Sequence, residues 1–461
     1  MARSDKMPTF AVLNNSAMIQ EFRVSNFLSF KEETVLSFEP VGDGRRGKQR
    51  KGAKDPLVYK VNSKTKLLRL AVFYGANASG KSNMLRAMSF LASFCKKKTS
   101  LPDEPTGVTP FLLNNVNRNL PSKFNLRFFI NGVRYWYSLE LDSRKVYLEA
   151  LYTYRSAQPT AIFKRTENTL EFNPAENSIS ATAKELLQLN CLPNLSFFAS
   201  RAKVNITLNH IDKVIQYFED TFMDGQVEFE RLYTAAEEYI SNSTDAKEHL
   251  LRFLKEADFN ISGVISKKEE IAVPEEVRNM VLADPKTPIH LKEQLREKGS
   301  YDRVRTLFTH QVDVQGKLEE YQFSSQDQSL GTRRVFALES YIYALEETNR
   351  IALLDEFDTS LHPNLADFIL SRFAKADCGS QLIVTTHYTG LFDNPDLRDD
   401  CLWITEKDRS GASSIKSVAK EKDMRLASKE KGYRQGKLGG IPNLFEEEEF
   451  EGLEYKETLF D

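Results

Sequence analysis

Residues Gly75-Ala76-Asn77-Ala78-Ser79-Gly80-Lys81-Ser82 spell the pattern GxxxxGKS, and their surroundings constrain the fold more than any other stretch of the chain. An apolar run, Leu67 to Tyr74, leads straight into them, and a helical pattern, Asn83 to Phe94, leads straight out. Strand, glycine loop and helix in that order make a cradle for phosphate. Glycine lets the backbone wrap closely around the anion, while loop amides and the helix N-terminus supply partial positive charge. The unit predicts an α/β domain. Its candidate nucleotide-binding residues are Gly75, Asn77, Ala78, Ser79, Gly80, Lys81, Ser82 and Asn83.

Lys81 is expected to reach the β and γ phosphates of ATP, and Ser82 to ligate Mg²⁺. Two further apolar strands end in polar residues, where ligands sit in open α/β sheets. Ile351-Ala352-Leu353-Leu354 ends in Asp355-Glu356. Asp355 is expected to hold Mg²⁺ through water, and Glu356 to act as general base on the attacking water. Leu382-Ile383-Val384-Thr385-Thr386 ends in His387, a candidate hydrogen-bond partner for the γ phosphate. Ser329-Leu330-Gly331-Thr332 opens the helix that precedes the Asp355 strand, and small residues there expose amides to an anion.

Bulk properties narrow the class. The chain has 461 residues, 41% hydrophobic and 28% charged, an ordinary globular composition. A net charge of -2 argues against general nucleic-acid adhesion but leaves room for a local basic groove. Cys95, Cys191, Cys378 and Cys401 are scattered without a CxxC pair, as expected of reduced thiols in a cytoplasmic protein. No apolar run approaches the roughly 20 residues of a spanning helix, so no membrane partner is expected.

Organisation follows from pattern. Residues 1–17 are expected to be a flexible extension. Residues 18–181 hold the glycine loop and a β-meander, with Asn131-Gly132 as a tight hairpin turn. The basic stretch Gly42 to Lys54 reads as a solvated hairpin loop or as a phosphate contact. Residues 182–322 are expected to be a helical insertion, with no heptads sustained enough for coiled-coil arms. Residues 323–420 carry the remaining motifs. Residues 421–461 form a polar tail ending in Glu446-Glu447-Glu448-Glu449.

These motifs, in this order, resemble the ABC ATPase superfamily, above all its SMC/RecF-like branch. Phe22 to Phe30 is similar to that branch's NFxSF start, Ser329-Leu330-Gly331-Thr332 to a degenerate signature loop, and Asp358 to Pro363 to its D-loop. Within the branch the chain resembles the RloA/AbiL-type anti-phage, abortive-infection ATPases, with PARIS-type defence ATPases as relatives. Tyr74 to Ser89, Pro110 to Leu113, the meander from Phe129 to Leu141 and Tyr433 to Pro442 carry that likeness. The resemblance implies an α/β ABC head, with a β-meander lobe, a RecA-like parallel-sheet lobe and a helical insertion. It implies a homodimer, or a higher assembly built on it, with ATP sandwiched between copies. Ser329 and Gly331 would then touch the γ phosphate in trans, and Asp358 would couple the two sites. It also implies a separate effector, a Toprim-like nuclease, and a phage protein or nucleic acid as trigger. A Q-loop glutamine is missing between Met84 and Leu120, so Asn114 or Asn115 are candidates to replace it. The rival readings are a RecF/SMC-like DNA-clamping or repair ATPase, a self-contained nuclease and an export ATPase. Only about 70 residues follow His387, too few for a Toprim domain.

Overall fold

The computed structural model describes residues 17–42, 55–97, 101–167, 169–177, 179–223, 229–257, 259–284, 287, 289–420 and 428–442. The expectations for residues 1–16, 43–54, 421–427 and 443–461 lie outside these. In chain order, β1 (Ala17–Ser25) and β2 (Thr34–Ser37) form a hairpin, and β3 (Val58–Lys60) and β4 (Lys66–Leu68) a smaller one. β5 (Leu70–Tyr74) runs into the glycine loop and α1 (Lys81–Lys96) leaves it. β6 (Ser122–Ile130), β7 (Val133–Leu141), β8 (Val146–Thr153), β9 (Thr160–Thr166) and β10 (Thr169–Phe172) follow as an antiparallel meander. Next come α2 (Ala181–Leu189), α3 (Phe197–Arg201), α4 (Asn209–Thr221), β11 (Phe222–Met223), α5 (Phe229–Asn242) and α6 (Thr244–Glu256). β12 (Gly263–Ala272), α7 (Glu275–Ala283), α8 (Ile289–Lys298), β13 (Ser300–Val314) and β14 (Lys317–Ser324) complete the middle of the chain. The last part comprises α9 (Leu330–Thr348), β15 (Ile351–Leu354), α10 (Pro363–Lys375), β16 (Gln381–Thr385), β17 (Leu402–Lys407), β18 (Ser413–Ser417) and α11 (Lys429–Arg434).

Two large sheets organise these elements, and the α/β class read from the sequence is the class observed. One has the order β10-β9-β8-β7-β6-β1-β2 and is antiparallel. Its inner face follows from alternation: Phe124, Leu126 and Phe128 of β6 stand opposite Leu139, Tyr137 and Tyr135 of β7, all buried. Asn131 and Gly132 both take positive φ, as a two-residue hairpin requires. The other sheet has the order β11-β15-β16-β5-β17-β18, parallel throughout except for the edge strand β18. Its three innermost site strands, β5, β15 and β16, are unbroken runs of buried residues, the signature of a sheet covered on both faces.

Helix α1 fixes the glycine loop between the two sheets. Its Phe90 ring lies 5.5 Å from Phe27 and 5.2 Å from Phe124, so the helix is anchored to the antiparallel sheet. Helices α3 and α4 cover the meander: Tyr217 stacks on Phe128 at 4.4 Å and Phe197 meets Phe163 at 4.5 Å. Beneath them sits a buried charge. Glu149, 0% exposed, accepts from Tyr137 Oη at 2.9 Å, Ser196 Oγ at 2.7 Å and the Phe197 amide at 2.8 Å, with Arg165 3.4 Å away. Removing a partner from such a cluster strands the rest in a low dielectric. Glu149→Ala is therefore expected to destabilise the fold by about 3–5 kcal/mol, measured by denaturant unfolding. A loss below about 1 kcal/mol would show the cluster to be dispensable.

Two segments differ from expectation. The stretch 182–322, read as helical, also carries the antiparallel sheet β12-β13-β14. Its strands bury Val264, Thr306 and Phe308 but are otherwise mostly half-buried or exposed, with charged runs such as Lys267-Lys268-Glu269-Glu270, so little apolar alternation marks them. Within the segment read as a polar tail, residues 428–442 pack onto the parallel sheet. Tyr433 and Leu438 are buried there, two apolar anchors in an otherwise polar stretch.

Candidate functional site

The parallel sheet gathers the motifs by register. Leu354 pairs with Val384 and Thr385 with Phe73, so β15, β16 and β5 end side by side. Asp355, His387 and the glycine loop therefore emerge at one edge, the position where open α/β sheets bind ligands. The loop is tightly walled. Gly80 has φ +114, and a Cβ there would lie 2.5 Å from Ser413 Oγ. Ser79 Oγ lies 2.6 Å from Thr405 Oγ1, which donates to the Tyr74 carbonyl at 2.9 Å. Asn83 Nδ2 donates to Ser29 Oγ at 2.8 Å, and Ser29 in turn accepts through its carbonyl from the Ser413 amide at 2.7 Å. The NFxSF segment thus braces the start of α1 directly.

Lys81 bridges its own loop. Its Nζ donates to the Gly75 carbonyl at 2.8 Å and the Ala76 carbonyl at 3.0 Å. Burial lowers its pKa, and the charges of Asp355, Glu356 and Asp358 partly oppose that. A buried ammonium held by two carbonyls at the start of the phosphate-loop helix is placed to meet an anionic phosphate chain.

Asp355 is the hub. Its Oδ1 accepts from Ser82 Oγ at 3.0 Å and from Thr385 Oγ1 at 2.5 Å. The Glu356 amide donates to the same Thr385 hydroxyl at 2.7 Å. Thr385 thereby fixes both acids, holding Glu356 at φ +47, a conformation uncommon outside glycine. The Glu356 side chain remains exposed. Among the described residues no group of three or more His, Cys, Asp or Glu makes a metal site. The adjoining hydroxyl and carboxylate of Ser82 and Asp355 nevertheless fit Mg²⁺, which takes few protein ligands and fills its shell with phosphate oxygens and water.

His387 lies two residues beyond β16, exposed, and lines a cavity of about 880 Å³ with Gly75, Ala76, Asn77 and Ser79. Ser329 caps α9: its Oγ accepts from the Thr332 amide at 3.1 Å. A Cβ on Gly331 would lie 3.3 Å from the Ser360 carbonyl, so the signature loop abuts the D-loop of its own chain. Arg334, one turn on, donates to the Glu356 carbonyl at 3.3 Å; burial lowers its pKa against the pull of Asp358 and Glu356. Among the described residues no hydrogen bond joins Ser329 or Gly331 to residues 75–82. The signature loop and the segment Asp358 to Pro363 adjoin each other, with Asp358 in electrostatic reach of both Lys81 and Arg334. Asn114 caps its own turn, accepting from the Val116 amide at 2.8 Å, and Asn115 is exposed, so neither side chain bonds to the glycine loop.

Sequence reasoning missed Thr385, Thr405, Ser413 and Arg334. Only Thr385 left a signal, a hydroxyl just before a strand's polar end.

Fold and site together define a phosphate-binding-loop ATPase of the AAA type. The chain belongs to the family described as "AAA domain, putative AbiEii toxin, Type IV TA system", whose model matches residues 70–393. No curated protein matches it. Among solved structures it is similar to the SMC head domain from Thermotoga maritima, at 14% identity and a TM-score of 0.41, covering 87% of this chain and 98% of that one. It is also similar to an Smc head domain with an extended coiled coil bound to the C-terminal domain of ScpA derived from Pyrococcus furiosus. There identity is 11% and the TM-score 0.36, covering 91% of this chain and 99% of that one. Among the described residues no helix is long and apolar enough to cross a membrane.

Proposed function

We propose that the chain is an ABC-type ATP-hydrolysing switch, the sensor subunit of a cytoplasmic anti-phage defence system that controls a separate effector nuclease. The observation that supports this most is the gathering of the phosphate-loop lysine, the acids and the histidine at one place. Lys81, Ser82, Asp355, Glu356 and His387 meet at one sheet edge. Ser329 and Gly331 adjoin the D-loop without a hydrogen bond to the glycine loop among the described residues, and Leu330 between them is 55% exposed. An exposed signature loop that makes no hydrogen bond to its own glycine loop suits closure by a second copy. The family's description, naming an AbiEii toxin and a type IV TA system, supports the defence setting.

On this reading the amides of residues 75–82 cradle the triphosphate and Lys81 turns from its two carbonyls to the phosphates. Ser82 and Asp355 hold Mg²⁺, which would neutralise phosphate charge when bound. Glu356 takes the proton of the attacking water, and His387 hydrogen-bonds the γ phosphate. Ser329 and Gly331 of a second copy close the site, and Asp358 links the two. A phage protein or nucleic acid would set the switch, and a Toprim-like nuclease would read it.

The test is a phage challenge of cells carrying the gene with its neighbouring reading frame. Wild type should protect, and Lys81→Ala and Glu356→Gln should not. Undiminished protection by Lys81→Ala would sink the switch reading. Salt-dependent DNA binding by the purified chain, without any protection, would favour a RecF/SMC-like DNA clamp instead.

A further inference from the structure

The segment 428–442 is used by none of the steps above, yet it forms a wall of the cavity at the glycine loop. Gly436, Gly439, Gly440 and Tyr433 face Gly75, Ala76 and His387 across that space. Three rings join the segment to both phosphate-side loops. Tyr74, the residue before Gly75, stacks on Phe392 with centroids 4.0 Å apart. Phe392 follows His387 by five residues and meets Tyr433 at 4.8 Å, while Tyr433 lies 6.1 Å from Tyr74. Such offset pairs contribute beyond burial alone.

Polar contacts fix the same arrangement. Tyr433 Oη donates to the Gly440 carbonyl at 2.9 Å, closing the glycine turn over its own ring. The Gly440 amide donates to Glu406 Oε1 at 3.1 Å, tying the turn to β17 beside β5. Helix α11 grips the stretch after His387: Thr389 Oγ1 donates to Glu430, and the Lys429 amide and Ser428 Oγ donate to Asp393. Gly439 sits at φ +71, and a Cβ there would collide with the Glu406 carboxylate. A side chain there would be strained and would have to displace Glu406 from the Gly440 amide.

We propose that Tyr433 is a positioning residue for the triphosphate site, setting the Gly75 end of the phosphate loop and the His387 loop against each other through the Tyr74–Phe392–Tyr433 stack. The proposal rests on the ATPase reading and deepens it. It is a claim about alignment rather than affinity, because the contacts of Tyr433 run to Tyr74, Phe392 and Gly440. Misalignment of catalytic groups by a fraction of an ångström to one ångström costs rate far more than ground-state binding.

The experiment compares wild type, Tyr433→Ala, Tyr433→Phe and Gly439→Ala as full-length chains, with Lys81→Ala as control. Steady-state ATP turnover gives kcat and KM, and thermal unfolding without nucleotide gives the folded fraction. Tyr433→Ala should lose about tenfold or more in kcat with KM changed by less than about threefold. Tyr433→Phe keeps the ring and should recover most of the rate. Gly439→Ala leaves the stack intact, displaces the turn and should lower kcat in the same direction. Amide exchange across 428–442, with and without ATP, supplies a readout independent of hydrolysis: ATP should raise protection there in wild type and not in Lys81→Ala. The proposal is overturned if Tyr433→Ala turns over ATP within about twofold of wild type. It is equally overturned if the lost rate only tracks lost folded protein in every variant, or if bound ATP leaves exchange across 428–442 unchanged. A wild type without Lys81-dependent turnover would instead remove the hydrolysis reading, and exchange alone would then judge Tyr433.

Discussion

Lys81→Ala should abolish ATP turnover, lowering it by about a hundredfold or more, with ATP binding lost or severely weakened. The residue is buried and its ammonium already rests on the Gly75 and Ala76 carbonyls. That places a cation within the loop, beside the amide dipoles that favour an anion. Asp355, Glu356 and Asp358 all bear on it, so removing the ammonium leaves three carboxylates to repel an incoming phosphate chain. Phosphate release and calorimetric titration with ATP measure the two parts separately. Unchanged turnover would remove the site assignment altogether.

Glu356→Gln should behave differently. A positioned general base contributes about 10²–10⁴ in rate, so hydrolysis should fall by that order while ATP still binds. Glutamine keeps the size of the side chain, and the backbone bond from residue 356 to Thr385 Oγ1 needs no carboxylate. The variant should therefore accumulate an ATP-bound dimer, visible by light scattering at saturating nucleotide. A monomer under those conditions would contradict completion of the site by a second copy. A variant hydrolysing at the wild-type rate would move the base elsewhere.

What the sequence makes legible depends on how each group is encoded. Asp355, Glu356 and His387 could be read because each follows an apolar strand, and a strand's polar end announces itself locally. The meander was readable for the same reason, through alternation and the Asn131-Gly132 turn. Thr405 and Ser29 could not be assigned roles in this way. Each is a lone hydroxyl, and its partner lies in a distant segment: Thr405 meets Ser79, and Ser29 meets Asn83. The β12–β14 sheet was hidden because its strands bury neither face fully, leaving no period for the eye to find. Residues 428–442 stood out in the sequence as a motif, but nothing local shows that Tyr433 joins Phe392 and Tyr74.

Strand order carries one more consequence, and it concerns time. β5 is flanked by β16 and β17, with Leu70 beside Leu382 and Val72 beside Leu402. During synthesis the glycine loop leaves the ribosome early, but the strands that flank it arrive some 300 residues later. Until then β5 is an apolar strand without neighbours, and Ser82 has no Asp355 to meet. A message cut short between the glycine loop and β16 yields a protein with its most recognisable motif intact but without the two strands that flank β5.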